Sequence, residues 1–297
     1  MSTDLRLILL GTGNPAPRAH RAGQSIAVLS NDAGAIFDLG PGSAMNLFAS
    51  SIDPLAIDQL FFTHHHFDHM ADFGHFVMAR WDQGAGAGDA LTVYGPPPLL
   101  RITEQLFGPD GVYGPDLQSR TRHPLSQRIH QLRGGPMPRT LPTLVVHELD
   151  EDEVVAGDRW TVTTGPARHV QPYLNSLSYR LETPSASVVI SGDTRPLPAL
   201  VDFARDADVL VHMAMDLQDD IDRWPEIATS CTGAAGAARI SAQANARRLV
   251  LVHLDTTADD PRRQSAMLTE ARAEFFGDII LGEDLLEIPV ESWPHRS

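Results

Sequence analysis

The chain has 297 residues, of which 42% are hydrophobic and 21% charged, the balance of a folded globular protein with length for one large or two ordinary domains. Its net charge of −15, from 38 acidic against 23 basic residues, argues against a broad surface for nucleic-acid phosphates, although a local basic patch fits within that total. No stretch approaches the roughly 18 apolar residues of a membrane span. Residues 1–6 lack a secretory-type start, and the single Cys231 excludes an internal disulfide and a thiolate metal site, so a cytoplasmic protein is expected.

In chain order, residues 5–10 form a strand that ends in the glycine turn Gly11-Thr12-Gly13. That turn is no phosphate loop, because Pro15-Ala16-Pro17-Arg18 follows where a Walker sequence needs Lys and Ser or Thr. Two paired strands at 25–30 and 35–38 come next, then a short helix from Ser43. A buried strand at 58–62 leads into Thr63-His64-His65-His66-Phe67-Asp68-His69, after which Phe73, Phe76, Val77 and Trp81 recur at helical spacing. His75 on that helix is read as a packed or surface residue.

Side chains two apart on extended chain point the same way, so His64 and His66 can converge on one ion while His65 faces elsewhere. Asp68 and His69 fall where the chain curls into the helix and can face a second ion. Neutral imidazole is the commonest metal ligand, and a His/Asp set this dense is a metal site in outline.

Beyond Gly84 the composition changes. A strand at 90–94 and a helix at 98–107 are legible, but the stretch at about 95–142 is spotted with Gly and Pro and reads as an irregular excursion, the kind of long loop that forms a lid, a substrate arm or an oligomer contact. Strands then recur at 144–149, 158–164, 177–182, 186–190 and 207–212. A helix at 233–247 precedes a strand at 249–252, a second helix spans 261–276, and closing strands lie within 278–289, with residues 292–297 as a tail. His169, Asp193 and His253 each stand just beyond a strand, so one edge of packed sheets carries the polar candidates.

These residues resemble the metallo-β-lactamase superfamily, whose His-x-His-x-Asp-His signature is met by His64, His66, Asp68 and His69. The later ligand positions also occur in order, at His169, Asp193 and His253. The resemblance covers nearly the whole chain and implies an α+β fold, the αββα sandwich of two mixed sheets flanked by helices, as one domain over 1–297. It further implies that His64, His66 and His169 hold one zinc ion and Asp68, His69 and His253 a second, with Asp193 bridging; nitrogen and oxygen ligands would also accept manganese or iron.

Within the superfamily, Gly11-Thr12-Gly13, Phe37-Asp38, Gly192-Asp193-Thr194 and Leu251-Val252-His253 are most similar to the ribonuclease Z and arylsulfatase-like branch. That branch's tRNA-processing members carry a His-Glu-Ala sequence and a downstream His-Ser-Thr. Here the same places read His212-Met213-Ala214 and Ser230-Cys231-Thr232, so both halves of the proton-donating pair are missing. Residues 170–192 are also too few for the arm that grips tRNA.

The expected chemistry is a dinuclear hydrolase delivering hydroxide to a small ester-like substrate, a phosphodiester, sulfate ester, carboxylic ester or lactone whose leaving group needs no proton donor. Asp68 is expected to orient the nucleophile, and His212, at the end of a buried strand, either to stand in as an acid or to serve as a structural hydrogen-bonding partner. The alternatives are a tRNA 3′-end endonuclease and a non-catalytic metal sensor. Asp38 reads as a buried structural acceptor, Cys231 as inert, and self-association as a homodimer is implied by family habit and by the excursion.

Overall fold

A computed structural model describes residues 5–31, 33–88 and 90–290; the N-terminal start, Asp32 of the expected hairpin turn and the tail at 292–297 lie outside the described residues. The first half begins as an antiparallel meander of β1 (Leu5–Gly11), β2 (Ser25–Ser30) and β3 (Ala33–Phe37). After α1 (Ser43–Ala49) the strands β4 (Ile57–Phe61), β5 (Leu91–Gly95) and β6 (Leu144–Glu148) are parallel to one another. Between them lie α2 (Phe67–Met70), α3 (Phe73–Gly84), α4 (Leu99–Phe107), α5 (Gly114–Arg122) and α6 (Pro124–Leu132).

The second half holds β7 (Val154–Ala156), β8 (Thr161–Pro166), β9 (Leu177–Glu182), β10 (Ser187–Ile190), β11 (Val209–Met213), β12 (Arg248–Val252), β13 (Asp278–Leu281) and β14 (Glu287–Val290). Its helices are α7 (Pro198–Phe203), α8 (Gln218–Asp222), α9 (Pro225–Ala228), α10 (Ala234–Gln243) and α11 (Pro261–Glu274). One seven-stranded sheet has the order β14-β1-β2-β3-β4-β5-β6 and the other β13-β12-β11-β10-β9-β8-β7. Both mix parallel and antiparallel pairs, as expected of the sandwich.

Alternation along the strands explains the layers. In β1 the side chains of Leu5, Leu7 and Leu9 enter a core shared with Trp160, Val162, Tyr179, Val188 and Val250 of the second sheet. Ile8 and Leu10 point the other way, against Leu47 of α1 and Phe73, Phe76 and Val77 of α3. The outer face of the second sheet is covered likewise, by α10 and α11 over β12 and by α7 over β10 and β11. Strands buried on both faces read as continuous apolar runs, which is why the 3.6-residue period and not the 2-residue one marks the helices here.

The excursion is the main departure from the sequence reading. What reads as irregular is largely helical, with α5 and α6 following α4. The prolines responsible stand in the first turn of each helix, at Pro115 and Pro124, where the missing N–H is not needed and the fixed φ favours entry. His123 accepts a hydrogen bond from the Leu125 N–H at 3.2 Å and starts α6. Three short helices, α7, α8 and α9, and the three-residue strand β7 are likewise absent from the sequence reading, being too short to show a period.

Candidate metal centre

Each candidate follows a strand. β10 and β12 both run parallel to β11, and β8 points the same way because β9 is antiparallel to β8 and to β10. Their C-terminal ends therefore share one edge, and His169, Asp193 and His253 leave from it. The fourth contribution comes from the other sheet, where β4 ends and His64 begins an extended segment that His66 closes as the cap of α2. Asp68 and His69 lie in the first turn of α2, as the spacing predicts.

All seven side chains meet. His64, His66, His169 and Asp193 form one group and Asp68, His69 and His253 another, and within each group one nitrogen or oxygen per residue lies within 4.8 Å of the others. Asp193 Oδ2 stands between the groups, 3.9 Å from His64 Nε2, 3.7 Å from His169 Nε2, 3.5 Å from His69 Nε2 and 3.1 Å from His253 Nε2. Asp68 Oδ2 is 3.2 Å from His253 Nε2 and 3.5 Å from His69 Nε2. His66 enters through Nδ1, 3.1 Å from His64 Nε2 and 3.3 Å from His169 Nε2. His65 stays out, with its ring against Phe62.

The outer hydrogen bonds decide which nitrogens face inward. The Nδ1–H of His169 donates to the Ser230 carbonyl at 2.8 Å, and that of His69 to Asp38 Oδ2 at 2.8 Å, leaving Nε2 bare in each. The Nδ1–H of His64 reaches Thr63 Oγ1 at 3.0 Å, and that hydroxyl in turn donates to Asp38 Oδ2 at 2.9 Å. Asp38 Oδ1 accepts the Thr63 backbone N–H at 2.8 Å. One buried carboxylate thus fixes the ring orientation of a histidine in each group. The expected structural acceptor at Asp38 has this as its physical content, while Thr63 and the Ser230 carbonyl are contributors that the sequence reading misses.

The electrostatics are those of a cation cradle. Burial pushes the Asp38 carboxyl up. Burial acts on Asp193 in the same sense, but the imidazoles of His253, His69 and His64 outweigh it and hold the carboxyl well below the usual range. Burial opposes charge on His69, and the carboxylates of Asp193 and Asp38 overcome it, raising the ring well above its ordinary value. Burial followed by the neighbouring His69 pushes His64 well down. His69 Nε2 and Asp68 Oδ1 are buried without a hydrogen-bond partner. Unsatisfied acceptors turned toward one another in a buried pocket cost free energy unless something binds them, and bare imidazole nitrogens with carboxylates are the ligand set of a divalent transition metal.

Backbone strain collects here too. Asp38 and His253 have φ of 61° and 60°, in the left-handed region that non-glycine residues seldom occupy, and Gly192 before Asp193 has φ 57°. A Cβ on Gly40 would overlap the Asp68 carbonyl oxygen and the Gly23 backbone, so that position has room for glycine only.

His212 lies at the end of β11, fully buried. Its Nδ1 is 2.8 Å from the Met213 carbonyl and its Nε2 has no partner, and burial pushes the ring down to about 4. Cys231 is pushed up to about 12 by burial and then by Asp193. Arg168, directly before His169, is paired with Glu151.

Comparison with known proteins agrees with this geometry. A family model described as the beta-lactamase superfamily domain matches residues 35–254. A ribonuclease Z of Myxococcus xanthus is 32% identical over 326 aligned positions, covering 96% of this chain and 98% of that protein. Among solved structures, the metallo-beta-lactamase fold protein YhfI of Bacillus subtilis superposes with a TM-score of 0.75 at 18% identity, covering 97% of this chain and all of that one. The short form of human tRNase Z superposes with a TM-score of 0.69 at 20% identity, covering 96% and 99%. No helix among the described residues is long and apolar enough to cross a membrane. Sequence signature, sheet order and relatives together place this chain in the metallo-β-lactamase superfamily, a family of hydrolases, within its ribonuclease Z branch.

Proposed function

We propose that this protein is a metal-dependent phosphodiesterase whose two cations are held by His64, His66 and His169 on one side and by Asp68, His69 and His253 on the other, with Asp193 between them. The observation that carries the reading is the gathering of seven side chains in two groups, with four imidazoles turned toward Asp193 Oδ2 and the outer nitrogens of His64, His69 and His169 already engaged. Zinc is the first candidate, and manganese or iron suits the same nitrogen and oxygen set. When bound, such a pair lowers the pKa of water and offsets charge on phosphoryl oxygens. The phosphodiester is preferred among the ester classes because the full-length relatives carry the name ribonuclease Z.

The chain's own groups do the positioning. Asp68 offers Oδ2 to the His253 side while its Oδ1 is unengaged, which suits it to accept a proton from an attacking water. Asp38, through His69 and Thr63, keeps the ligand rings from turning. Of the two roles expected for His212, the neutral hydrogen-bonding ring fits better than the proton donor, since it is buried and held to its own strand. A leaving group that departs as a stable anion therefore suits this site best, such as an aryl or otherwise activated phosphodiester.

A second reading, tRNA 3′-end cleavage, is favoured by the same relatives, which match at 29–32% identity over 96% of the chain. The deciding experiment gives metal-loaded protein bis(p-nitrophenyl) phosphate, an aryl sulfate, a lactone and a precursor tRNA transcript in parallel. Zinc-dependent turnover of the aryl phosphodiester alone supports the first reading, and accurate cleavage of the transcript supports the second. No turnover of any of them leaves the sensor and removes the enzyme. The cytoplasm, a single domain and a homodimer stay part of the proposal on the sequence reading, with sedimentation equilibrium as the test of the dimer.

A further inference from the structure

The acidic chain conceals a segregated basic segment. Residues 117–140, which span the end of α5, all of α6 and the return toward β6, contain five arginines and no aspartate or glutamate. The remaining residues therefore carry the whole net charge of −15 and five further negative charges.

The structure packs three of these arginines around one carboxylate near the end of α3. Asp82 receives Arg139 at 2.6 Å, Arg120 at 2.8 Å and Arg133 at 3.2 Å. The carboxylate and Arg139 lie inward, while Arg120 and Arg133 keep 39% and 44% of their side chains exposed. Asp116 supplies a second carboxylate to Arg120. Arg122 and Arg128 are exposed on the same pair of packed helices and have no carboxylate partner among the described residues. Burial works against the Asp82 anion, but Arg139 and Arg120 hold its carboxyl low, so the cluster stays charged. The α5–α6 pair thus presents more positive than negative charge to solvent.

We infer that the α5–α6 surface, centred on Arg120, Arg122, Arg128 and Arg133, docks the phosphate backbone of a nucleic acid. Guanidinium groups fork onto phosphate oxygens in pairs, and all 23 basic residues of this chain are arginine. The surface also connects to the metal centre. α3 starts directly after the His64–His69 loop and ends beside Asp82, and a Cβ on Gly74 near its start would overlap Tyr113, the cap of α5. A strand leaving the metals along α3 reaches Asp82 within the length of that helix, roughly 18 Å for 12 residues. The choice of a polynucleotide as the anion rests on the phosphodiesterase reading taken with its second form, cleavage of tRNA; the charge segregation does not.

The test compares the full, metal-loaded protein with Arg122→Gln/Arg128→Gln, which removes two cations that hold no carboxylate. Binding of a labelled RNA hairpin is followed by fluorescence anisotropy as salt rises, with the RNA checked intact afterwards. The wild type is expected to bind with affinity falling steeply with salt. The double variant should bind roughly tenfold or more weakly at low salt, with a salt slope shallower by about one unit per arginine. Hydrolysis of bis(p-nitrophenyl) phosphate should be equal in the two proteins. Equal RNA affinity and slope, or no RNA binding by the wild type, overturns the inference. So does a variant that loses only self-association in sedimentation, which would make the partner a second copy of this acidic chain. RNA binding as expected without turnover of any phosphodiester sinks the proposed function and leaves the surface standing, and turnover without RNA binding does the reverse.

Discussion

Replacing Asp38 with Asn tests how the outer hydrogen bonds govern metal affinity. The carboxylate accepts three bonds, from the Thr63 N–H at 2.8 Å, the Thr63 hydroxyl at 2.9 Å and the His69 Nδ1–H at 2.8 Å, and it donates none. An amide that keeps its oxygen toward the Thr63 N–H turns an NH2 toward His69 and the hydroxyl. That NH2 can meet His69 Nδ1 only if the ring proton moves to Nε2, the nitrogen that faces Asp68 and Asp193. The Thr63 hydroxyl, now accepting a hydrogen bond from the amide, turns its own hydrogen toward His64 Nδ1 across their 3.0 Å contact and favours the same tautomer change there.

Losing an outer partner of this kind weakens metal binding by about 10–100-fold, or about 1.4–2.8 kcal/mol. In Asp38→Asn both binding steps should weaken in a zinc titration against a competing chelator, the step involving His69 most. If the amide flips instead, two donors face each other at Thr63, and the cost of about 1–3 kcal/mol appears as lost stability. A variant with wild-type zinc affinities, stoichiometry and melting temperature would refute the reasoning.

Three further outcomes follow from particular residues. His212 is held neutral, with its folded pKa lowered from 6.5 to about 4, so the unfolded chain binds the extra proton between those values. Its contribution is fully present above pH 6.5 and is lost as pH falls toward 4, a difference of about 3 kcal/mol. Subtracting the denaturation profile of His212→Asn from that of the wild type should show that slope, and a flat difference would count against a neutral buried ring. Gly40→Ala should lose at least about 2 kcal/mol and bind less zinc, because the added carbon meets the Asp68 carbonyl and the Gly23 backbone, neither of which can rotate away; near-native stability by chemical denaturation would contradict the tight approach. Chelation should lower the melting temperature, since zinc at 1,000 times its dissociation constant stabilises a folded site by about 4.1 kcal/mol. A melting curve indifferent to zinc would mean that the buried donors bind none.

How much of this was legible in the chain depends on the range of the interaction. His64, His66, Asp68 and His69 announce themselves because strand and helix periodicity place them locally, and the positions of His169, Asp193 and His253 beyond apolar strands point to one sheet edge. Asp38 reads correctly as a buried acceptor, but its link to His69 spans 31 positions and only folding reveals it. The Ser230 carbonyl that orients His169 is a backbone atom, and no side-chain identity marks it. The excursion misleads because Pro115 and Pro124 look like breakers until the helices they start are seen. Asp82 collects arginines from 38 to 57 positions away, so the basic face is visible in sequence as composition and only in the structure as a surface.

The central claim is that seven side chains hold a pair of cations that share Asp193. A crystal grown with zinc, with anomalous differences collected on either side of the zinc absorption edge, measures this most directly. Two peaks are predicted, one among His64, His66 and His169 and the other among Asp68, His69 and His253, with Asp193 reaching both. A single peak, or zinc bound away from Asp193, would contradict the account.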